Sequence, residues 1–295
     1  MEIQVSIVIC TYNRARFLPT ALESLKNQTI ESRAYEIVVI NNNSTDTTEV
    51  LCLAFQKANP NLNFKYVIEP KQGLSHARNT GIEVASGKYI AFIDDDAIAD
   101  PNYAKSIAKA FETYPDYDAL GGKITPIYES ITELKWLSKY LWGMVAKVDN
   151  GDKIEPFTKK YPAGCNMVFR KEVFSTIGNF NPNLANRCDD RFIFSQMKNF
   201  GKKTLYYPTA SVNHFIPDDR ITEEGIVRLS RLNGVEYRNL LSHSSWKSTM
   251  KLFDYLLKVL LALVLSLIFL LKGEPEKTKI VKIMYFSLVG FITKK

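Results

Sequence analysis

The stretch that decides the fold reads Lys88-Tyr-Ile-Ala-Phe-Ile-Asp94-Asp95-Asp96-Ala-Ile-Ala-Asp100. Its first half is a short, unbroken apolar run, which is typical of a strand buried on both faces. Three consecutive aspartates follow, and adjacent carboxylates repel one another unless a cation joins them. Because ligands of open α/β sheets collect outside the carboxyl ends of strands, we expect these acids to hold a hard divalent ion with phosphates. The alternative is a solvated turn that leads into the next helix.

Strand and helix patterns alternate around this stretch. Apolar runs predict strands, and amphipathic segments between them predict helices: strands at residues 5–10, 35–40 and 64–68, and helices at 15–27, 47–58 and 73–85. This alternation indicates a parallel, doubly wound α/β sheet. The first turns contain neither GxGxxG nor GxxxxGK[ST], so metal and side chains must hold any phosphate.

The remainder of the chain has a less regular pattern. We expect a helix to about residue 114, a strand at 118–125, a partly helical region at 131–144, a strand and short helix across 161–177, a loop at 178–186, a helix at 189–200, short strands at 204–207 and 211–215, and a helix at 221–241.

Length and composition set the class of protein. A chain of 295 residues with 46% hydrophobic residues can form one large α/β domain or two small ones. Its four cysteines are widely separated, so they are interpreted as buried thiols and not as a disulfide framework or a zinc site.

The net charge of +7 is concentrated in the C-terminal tail. The segment from Trp246 to Lys295 carries nine lysines and three acids, whereas the rest of the chain carries 29 basic and 28 acidic residues. Apolar runs at 252–271 and 280–292 interleave with these lysines. This pattern favours a membrane surface over nucleic acid as the partner of the tail.

The topology of the tail is constrained by its lysines. The uncharged run 259–271 spans about 20 Å as a helix, against about 30 Å of hydrocarbon. Interfacial or re-entrant helices keep every lysine on the cytosolic side, as the positive-inside rule requires. We therefore expect attachment to a membrane surface without a defined span. A helix counted from Leu252 has 20 residues and is long enough to span if Asp254 and Lys258 lie near the interface, and a buried pair of soluble helices is the other alternative.

Several motifs, taken together and in order, resemble the family 2 glycosyltransferases with the GT-A fold. They are Ser6-Ile-Val-Ile-Cys-Thr-Tyr-Asn-Arg14, Glu36-Ile-Val-Val-Ile-Asn-Asn-Asn-Ser-Thr-Asp46, Gly73-Leu-Ser-His-Ala-Arg-Asn-Thr-Gly81, Phe92-Ile-Asp-Asp-Asp96, Gly164-Cys-Asn-Met-Val-Phe-Arg170 and Asp189-Asp190. The resemblance implies a Rossmann-like, doubly wound, mostly parallel sheet, followed here by a helical membrane-associated tail.

The resemblance also implies a domain division and an activity. Residues 1–222 form the catalytic domain, with a nucleotide-binding half at 1–100 and an acceptor-binding half at 101–222. Residues 223–246 are expected to form an amphipathic linker, and 247–295 the tail. The implied reaction is inverting transfer of a sugar from a nucleotide-diphosphate donor, with UDP favoured, to a glycan or lipid-linked acceptor. Mg²⁺ or Mn²⁺ is the implied cofactor, and cell-surface polysaccharide synthesis is the implied setting. Because a nucleotide-sugar enzyme must face the cytosol, the tail is expected at the cytoplasmic face of the cell membrane.

Particular residues match the family's donor and metal positions. The donor positions are Thr11, Asn13, Arg14, Asn41, Arg78, Asp94 and Asp95, and the metal positions are Asp96, Asp94 and His214. The family commonly has aspartate where this chain has Asn41. Because an amide both donates and accepts hydrogen bonds, base binding is compatible with this change. A packed histidine is the alternative for His214.

The catalytic and acceptor positions lie further along the chain. The resemblance makes Asp190 the base and Asp189 its neighbour, where the family has a Glu-Asp pair. The acceptor positions are Gly164, Asn166 and Trp136. Two alternatives remain open. The aspartates could be an N-cap pair that interacts favourably with the helix dipole, and the tryptophan could pack in the core or at a membrane interface.

Two other functions fit part of the pattern. A nucleotidyltransferase would usually carry a glycine-rich phosphate loop near the first strand, which this sequence does not contain. A catalytically inactive nucleotide-sugar-binding protein is compatible with the departures at Asn41 and Asp189. Donor turnover would distinguish it from an enzyme.

Overall fold

The structure is a computed structural model that describes residues 2–158, 160–184, 188–241 and 244–293. The end of the loop predicted at 178–186 therefore lies outside the described residues. The chain forms two compact units, each built from two segments of sequence. The first comprises Met1–Thr125 and Val148–His214, and the second comprises Pro126–Lys147 and Phe215–Lys295.

The strands and helices below are those of the described residues. The strands are β1 Val5–Thr11, β2 Tyr35–Asn41, β3 Phe64–Ile68, β4 Tyr89–Asp94, β5 Ala97–Ala99, β6 Ala119–Gly121, β7 Ile124–Tyr128, β8 Glu155–Pro156, β9 Asn166–Arg170, β10 Thr204–Tyr206 and β11 Val212–Ile216. The α-helices are α1 Leu18–Lys26, α2 Thr48–Ala58, α3 Leu74–Val84, α4 Tyr103–Thr113, α5 Phe174–Ile177, α6 Asp189–Asn199, α7 Asp218–Ile221, α8 Glu223–Leu240, α9 Ser245–Leu271 and α10 Lys279–Thr293. Short 3-10 helices occupy Ser32–Ala34, Lys139–Val145, Lys171–Val173 and Pro275–Thr278.

The larger sheet belongs to the first unit and is mostly parallel. Within the described residues its strand order is β3-β2-β1-β4-β9-β6-β10-β8. The strands β3, β2, β1 and β4 are parallel, β9 is antiparallel to both of its neighbours, and β10 is parallel to β6. This is the mixed α/β, mainly parallel fold that the alternation of strands and helices predicts.

The centre of this sheet forms the core of the first unit. Side chains of β1, β2, β4 and β9 are almost fully buried, and they pack with apolar residues of α3, α5 and α6. Consecutive residues of these strands are buried, so both faces of the sheet are covered, which explains their continuous apolar sequences. Since β1 lies between β2 and β4, the carboxyl ends of three strands meet at one edge.

One predicted strand is two in the structure. The run at 118–125 divides into β6 and β7, which belong to different sheets. The division falls at a pair of glycines, where a Cβ on Gly122 would lie 1.7 Å from the carbonyl oxygen of Ala210. Only a residue without a side chain permits this approach of two backbones.

Two further elements differ from the sequence prediction. The segment after the aspartates is a short strand, β5, which pairs antiparallel with β11 through Ala97 and His214. The helix predicted at 221–241 is broken at Thr222, because this residue caps α8 by accepting a hydrogen bond from the N–H of Gly225 at 3.0 Å. A three-residue strand and a single capping residue are both too short to produce a hydrophobic period in the sequence.

The second unit is mainly helical, and α8 is part of its core. Helices α8 and α10 approach closely at two glycines: a Cβ on Gly234 would lie 2.1 Å from the Ser287 carbonyl oxygen, and a Cβ on Gly290 2.1 Å from that of Arg231. Helix α8, in the segment predicted to be an amphipathic linker, thus packs within the second unit. Residues 126–147 also belong to this unit and not to the predicted acceptor half.

Candidate active site

The carboxyl edge of the sheet brings the predicted donor residues together. In the strand registers, Cys10 of β1 lies beside Asp94 of β4, and Thr11 lies beside Asn41 of β2. The three aspartates leave the sheet at this edge. Their location agrees with the general position of ligands in open α/β sheets.

The last two aspartates are held by side chains of the first-strand loop. Asp95 accepts hydrogen bonds from the Thr11 hydroxyl and from Nε of Arg14, both at 2.7 Å. Asp96 forms an ion pair with Nη2 of Arg14, and its Oδ1 lies 3.2 Å from Nε2 of His214. The acidic stretch is therefore an ordered, largely buried cluster and not a solvated turn.

Burial and charge oppose one another in this cluster. Burial raises the pKa of Asp95 to about 7, although the Arg14 guanidinium and the Thr11 hydroxyl act in the opposite direction. Burial alone would lower the pKa of Arg14, but Asp95 and Asp96 outweigh it and raise that pKa. The aspartates thus stabilise the positive charge of the Arg14 guanidinium in this cluster.

Arg78 of α3 lies at the centre of the site. Its Nη1 forms an ion pair with Asp189, and both side chains are only 4% exposed. Its Nη2 lies 3.8 Å from Oδ1 of Asp94. The guanidinium also faces the rings of Phe92 and Phe180, with centroids at 5.9 and 5.4 Å. Arg78 therefore acts as a positioning residue that connects the end of β4 to the start of α6.

Gly164 allows this arrangement. Its carbonyl oxygen accepts a hydrogen bond from Nη2 of Arg78 at 3.3 Å, and a Cβ at this position would lie 2.9 Å from the same nitrogen. Its N–H donates to the carboxylate of Asp190. The structure thus gives Gly164, predicted to contact the acceptor, a role in placing two charged side chains.

The two aspartates of α6 have different environments. Asp189 faces Arg78, whereas Asp190 accepts backbone hydrogen bonds from Gly164 and from the N–H of Arg191, the latter at 2.6 Å. Burial raises the pKa of Asp190, against the opposing charges of Arg191 and Arg78. Both acids lie in the first helical turn, but the N-cap position belongs to Cys188. Their place in the first turn agrees with the helix-dipole alternative, and the contacts of Asp189 with Arg78 and of Asp190 with Gly164 are additional to it.

A set of possible metal ligands forms beside the aspartates. Ligand atoms of Asp94, Cys165 and His214 all lie within 4.8 Å of one another. His214 is brought there by the pairing of β11 with β5, opposite Ala97. Carboxylate oxygens suit Mg²⁺ and Mn²⁺, imidazole is a ligand of divalent transition metals, and Asp96 adds a further oxygen next to His214. The donor set therefore fits a divalent ion, and the buried His214 faces the aspartates at this edge of the sheet.

Sequence reasoning did not find Cys165, because an isolated cysteine gives no metal-binding spacing. All four cysteines of the chain are thiols, as predicted. The available signal was its position in the Gly164–Arg170 motif: Cys165 stands one residue before β9, the strand that pairs with β4. A residue at that place faces the end of the acidic strand.

Two predicted donor residues organise loops. Asn13 has a positive φ of 54°, and its side-chain oxygen accepts a hydrogen bond from the N–H of Thr45 at 2.7 Å. The buried amide of Asn41 donates to the hydroxyl of Tyr66 at 2.7 Å and accepts from the N–H of Ser44 at 2.8 Å. The asparagine at position 41 therefore has a hydrogen-bond partner, Tyr66, which sequence reasoning also missed.

Two predicted acceptor residues lie elsewhere. Asn166 is 0% exposed, and its amide connects the Tyr103 hydroxyl at 3.0 Å to the Ala210 carbonyl at 2.9 Å. A side chain with no accessible surface cannot contact an acceptor, so that assignment is corrected to a structural one. Trp136 is 7% exposed and packs in the core of the second unit with Leu141 and its neighbours. Core packing, the alternative for this tryptophan, is what the structure describes.

A comparison with models of protein families matches residues 6–178 to "Glycosyl transferase family 2". The chain belongs to this family. The resemblance stated from the sequence motifs is thereby confirmed, and the carboxyl-edge residues described above belong to a glycosyltransferase.

Similar proteins support the same conclusion. The glycosyltransferase is 25% identical over 254 residues to the glucosyl-dolichyl phosphate glucuronosyltransferase of Haloferax volcanii, a match that covers 80% of this chain and 76% of that protein. The match covers only 29% of the length of the glycosyltransferase EpsH and 12% of the length of the minor teichoic acid biosynthesis protein GgaB, both of Bacillus subtilis.

Solved structures show the fold. The mannosyltransferase PcManGT from Pyrobaculum calidifontis, in complex with GDP-Man and Mn²⁺, has a TM-score of 0.67 at 17% identity, over 100% of this chain and 88% of that one. S. aureus TarS 1-349, in complex with UDP, has a TM-score of 0.54 at 18% identity, over 79% of this chain and 65% of that one. Similarity at these identities establishes the shared α/β architecture.

The buried ion pair of Arg78 and Asp189 generates a stability prediction. The substitution Asp189→Asn removes the buried counter-charge of the Arg78 guanidinium and leaves only the more exposed Asp94, so we expect the free energy of unfolding in urea to fall by about 3–5 kcal/mol. Glu31→Gln is the matched control in the same unit, since Glu31 pairs with Arg33 at 2.7 Å with both side chains more than 60% exposed. That control should cost no more than about 1 kcal/mol. Equal losses in the two variants would contradict the central role of the buried pair.

Proposed function

We propose that this glycosyltransferase moves a sugar from a nucleotide-diphosphate donor to a glycan or lipid-linked acceptor, with inversion at the anomeric carbon. The observation that carries the proposal is that the two aspartates at the start of α6 have different partners. Asp189 is neutralised by Arg78, whereas the hydrogen-bond donors to Asp190 are backbone N–H groups. Asp190 is thus the carboxylate of the pair that can accept a proton.

The donor is inferred to be a UDP-sugar, used in cell-surface polysaccharide synthesis. Thr11, Arg14 and the aspartates line the carboxyl edge, and Asn41 fixes the loop beside them through Ser44. TarS was solved with UDP and PcManGT with GDP-Man, so the donor base is a point that experiment must decide. The name of the Haloferax volcanii relative supports a lipid-linked acceptor, because that relative is named for a dolichyl phosphate substrate.

A divalent ion is inferred as the cofactor. Asp94, Asp96 and His214 would hold Mg²⁺ or Mn²⁺ at the edge of the sheet. When bound, such an ion neutralises the charge that develops on a diphosphate leaving group. Arg14 already balances Asp95 and Asp96, so the chain itself supplies one fixed positive charge at this edge.

The chain's own residues account for the proton transfer. As the acceptor hydroxyl oxygen bonds to the anomeric carbon, its proton passes to the carboxylate of Asp190, and the bond between that carbon and the diphosphate oxygen breaks. The N–H groups of Gly164 and Arg191 orient the carboxylate for this step. The raised pKa of Asp190 makes its carboxylate a better proton acceptor than an ordinary aspartate.

The variant Asp190→Asn tests the base. It should bind the donor with unchanged affinity but transfer sugar about 10²–10⁴-fold more slowly, since general-base catalysis typically contributes that factor. Donor binding is measured by calorimetry and transfer by release of the nucleoside diphosphate. In the native enzyme we expect the acidic limb of kcat/KM to lie above the ordinary aspartate pKa of about 3.9, because Asp190 must be deprotonated to act.

Asp116→Asn is the matched control for this experiment, because Asp116 is exposed and distant in sequence from the site motifs. It should retain full transfer. Full turnover in Asp190→Asn would overturn the base assignment. Donor binding without any turnover in the unmodified protein would instead identify a catalytically inactive nucleotide-sugar-binding protein.

We also infer that the second unit attaches the enzyme to the cytoplasmic face of the cell membrane. Helix α9 has 27 residues, and among the described residues it is the one helix long and apolar enough to cross a membrane. Only 11% of its most apolar window is buried. One face carries exposed large side chains at Leu257, Leu260, Val264, Leu267 and Leu271. An exposed apolar face of this extent favours lipid contact over solvent.

Vesicle flotation of the full-length chain tests this attachment. The native protein should float with vesicles that contain anionic lipid, and the double variant Leu260→Asp/Leu267→Asp should remain in the dense fraction, because two charges would enter the apolar layer. Val50→Asp is the control, since Val50 is an equally exposed apolar residue on α2 of the first unit. A native chain that stays soluble and monomeric without detergent and does not float would contradict membrane attachment.

A further inference from the structure

We propose that Cys165 gives the site a thiolate ligand, so that Asp94, Cys165 and His214 bind a thiophilic divalent cation such as Zn²⁺, Co²⁺ or Cd²⁺. The inference rests on the proposed function in one respect, because Asp94 and His214 are also the residues inferred to hold Mg²⁺ or Mn²⁺. It adds a second ligand set that shares two of its members with the first.

The geometry suits a compact ion. One ligand atom from each of the three residues lies within 4.8 Å of the others. Zinc bonds to nitrogen, oxygen and sulfur measure about 2.0–2.3 Å, which places the ligand atoms of a tetrahedral site roughly 3.3–3.8 Å apart. Side-chain adjustments of about 1 Å therefore close the site. Cys165 and His214 are buried, whereas the Asp94 side chain is 40% exposed and provides a route of entry.

Three strands fix the ligands in place. The antiparallel register of β4 and β9 pairs Ile93 with Asn166, so that Cys165, one residue earlier, stands opposite Asp94, one residue later. His214 lies on β11, which pairs with β5 immediately after the aspartates. Because each ligand is on or next to a strand, the set is largely pre-organised.

Ligand chemistry separates the two uses of the site. Mg²⁺ prefers oxygen ligands, which Asp94 and Asp96 supply, whereas thiolate sulfur selects softer ions. As the bond between Sγ of Cys165 and the ion forms, the thiol proton is released to solvent. A thiophilic ion would thus occupy Asp94 and His214 and exclude Mn²⁺, which makes micromolar Zn²⁺ an expected inhibitor of the enzyme.

Cobalt spectroscopy tests the proposal on the full-length, reduced protein, with neither nucleotide-sugar nor acceptor present. We expect titration with Co²⁺ to produce a sulfur-to-cobalt charge-transfer band in the near ultraviolet that saturates at one equivalent. Cys165→Ser should abolish the band. Cys52→Ser is the matched control, because Cys52 is a buried thiol on α2, and it should retain the band. Circular dichroism and urea unfolding of both variants verify that each is folded.

The possible outcomes separate clearly. A folded native protein without the band, or a band that survives in folded Cys165→Ser, overturns the proposal. If Cys165→Ser does not fold, Cys165→Ala is titrated with Co²⁺ in its place, and a folded Cys165→Ala that keeps the band overturns the proposal. Because no sugar donor is present, a failure of the proposed transferase activity leaves this result unaffected, and an active enzyme that lacks the band overturns only the thiolate ligand.

Discussion

The buried guanidinium of Arg78 is the group on which the rest of the site depends. A charge with so little access to water needs a counter-charge, and Asp189 supplies it. The same side chain contacts the carbonyl of Gly164 and lies beside Asp94, so it sets the positions of α6, the 164 loop and the end of β4 together. Asp190 is left with backbone partners as a consequence. The candidate base is therefore placed by an interaction that it does not itself make.

A second constraint is the accumulation of three carboxylates at one strand end. Arg14 and His214 reach this cluster from opposite parts of the sequence, one from the first-strand loop and one from β11. Together with Arg78 they keep the acids ordered. A similar balance recurs at the start of α8 in the second unit, where Glu223 pairs with Lys279 and Lys282, and those lysines lower its pKa to about 2.

Sequence reasoning was most successful where a hydrophobic pattern extends over many residues. The strands β1 to β4 and the helices between them lie close to their predicted positions, because continuous apolar runs and helical periods extend over five or more residues. The edge where Asp94 and Thr11 meet follows from that topology. The short strand β5 and the split at Gly122 could not be predicted, since each depends on a partner distant in sequence. Asn166 shows the remaining difficulty: an amide that connects Tyr103 to Ala210 has the same sequence signature as one that contacts a ligand.

The donor site is tested most directly by thermal unfolding of the purified protein with UDP-, GDP- and dTDP-sugars, each measured with Mn²⁺ and with EDTA. A ligand that binds only the folded state at about 100 times its Kd adds about 2.7 kcal/mol of stability, which is readily seen as a rise in Tm. We predict that a UDP-sugar raises the Tm with Mn²⁺ and not with EDTA, and that Asp96→Asn loses this rise. Absence of a shift with every nucleotide-sugar, or an equal shift in EDTA, would contradict a metal-assisted donor site at Asp94 and Asp96.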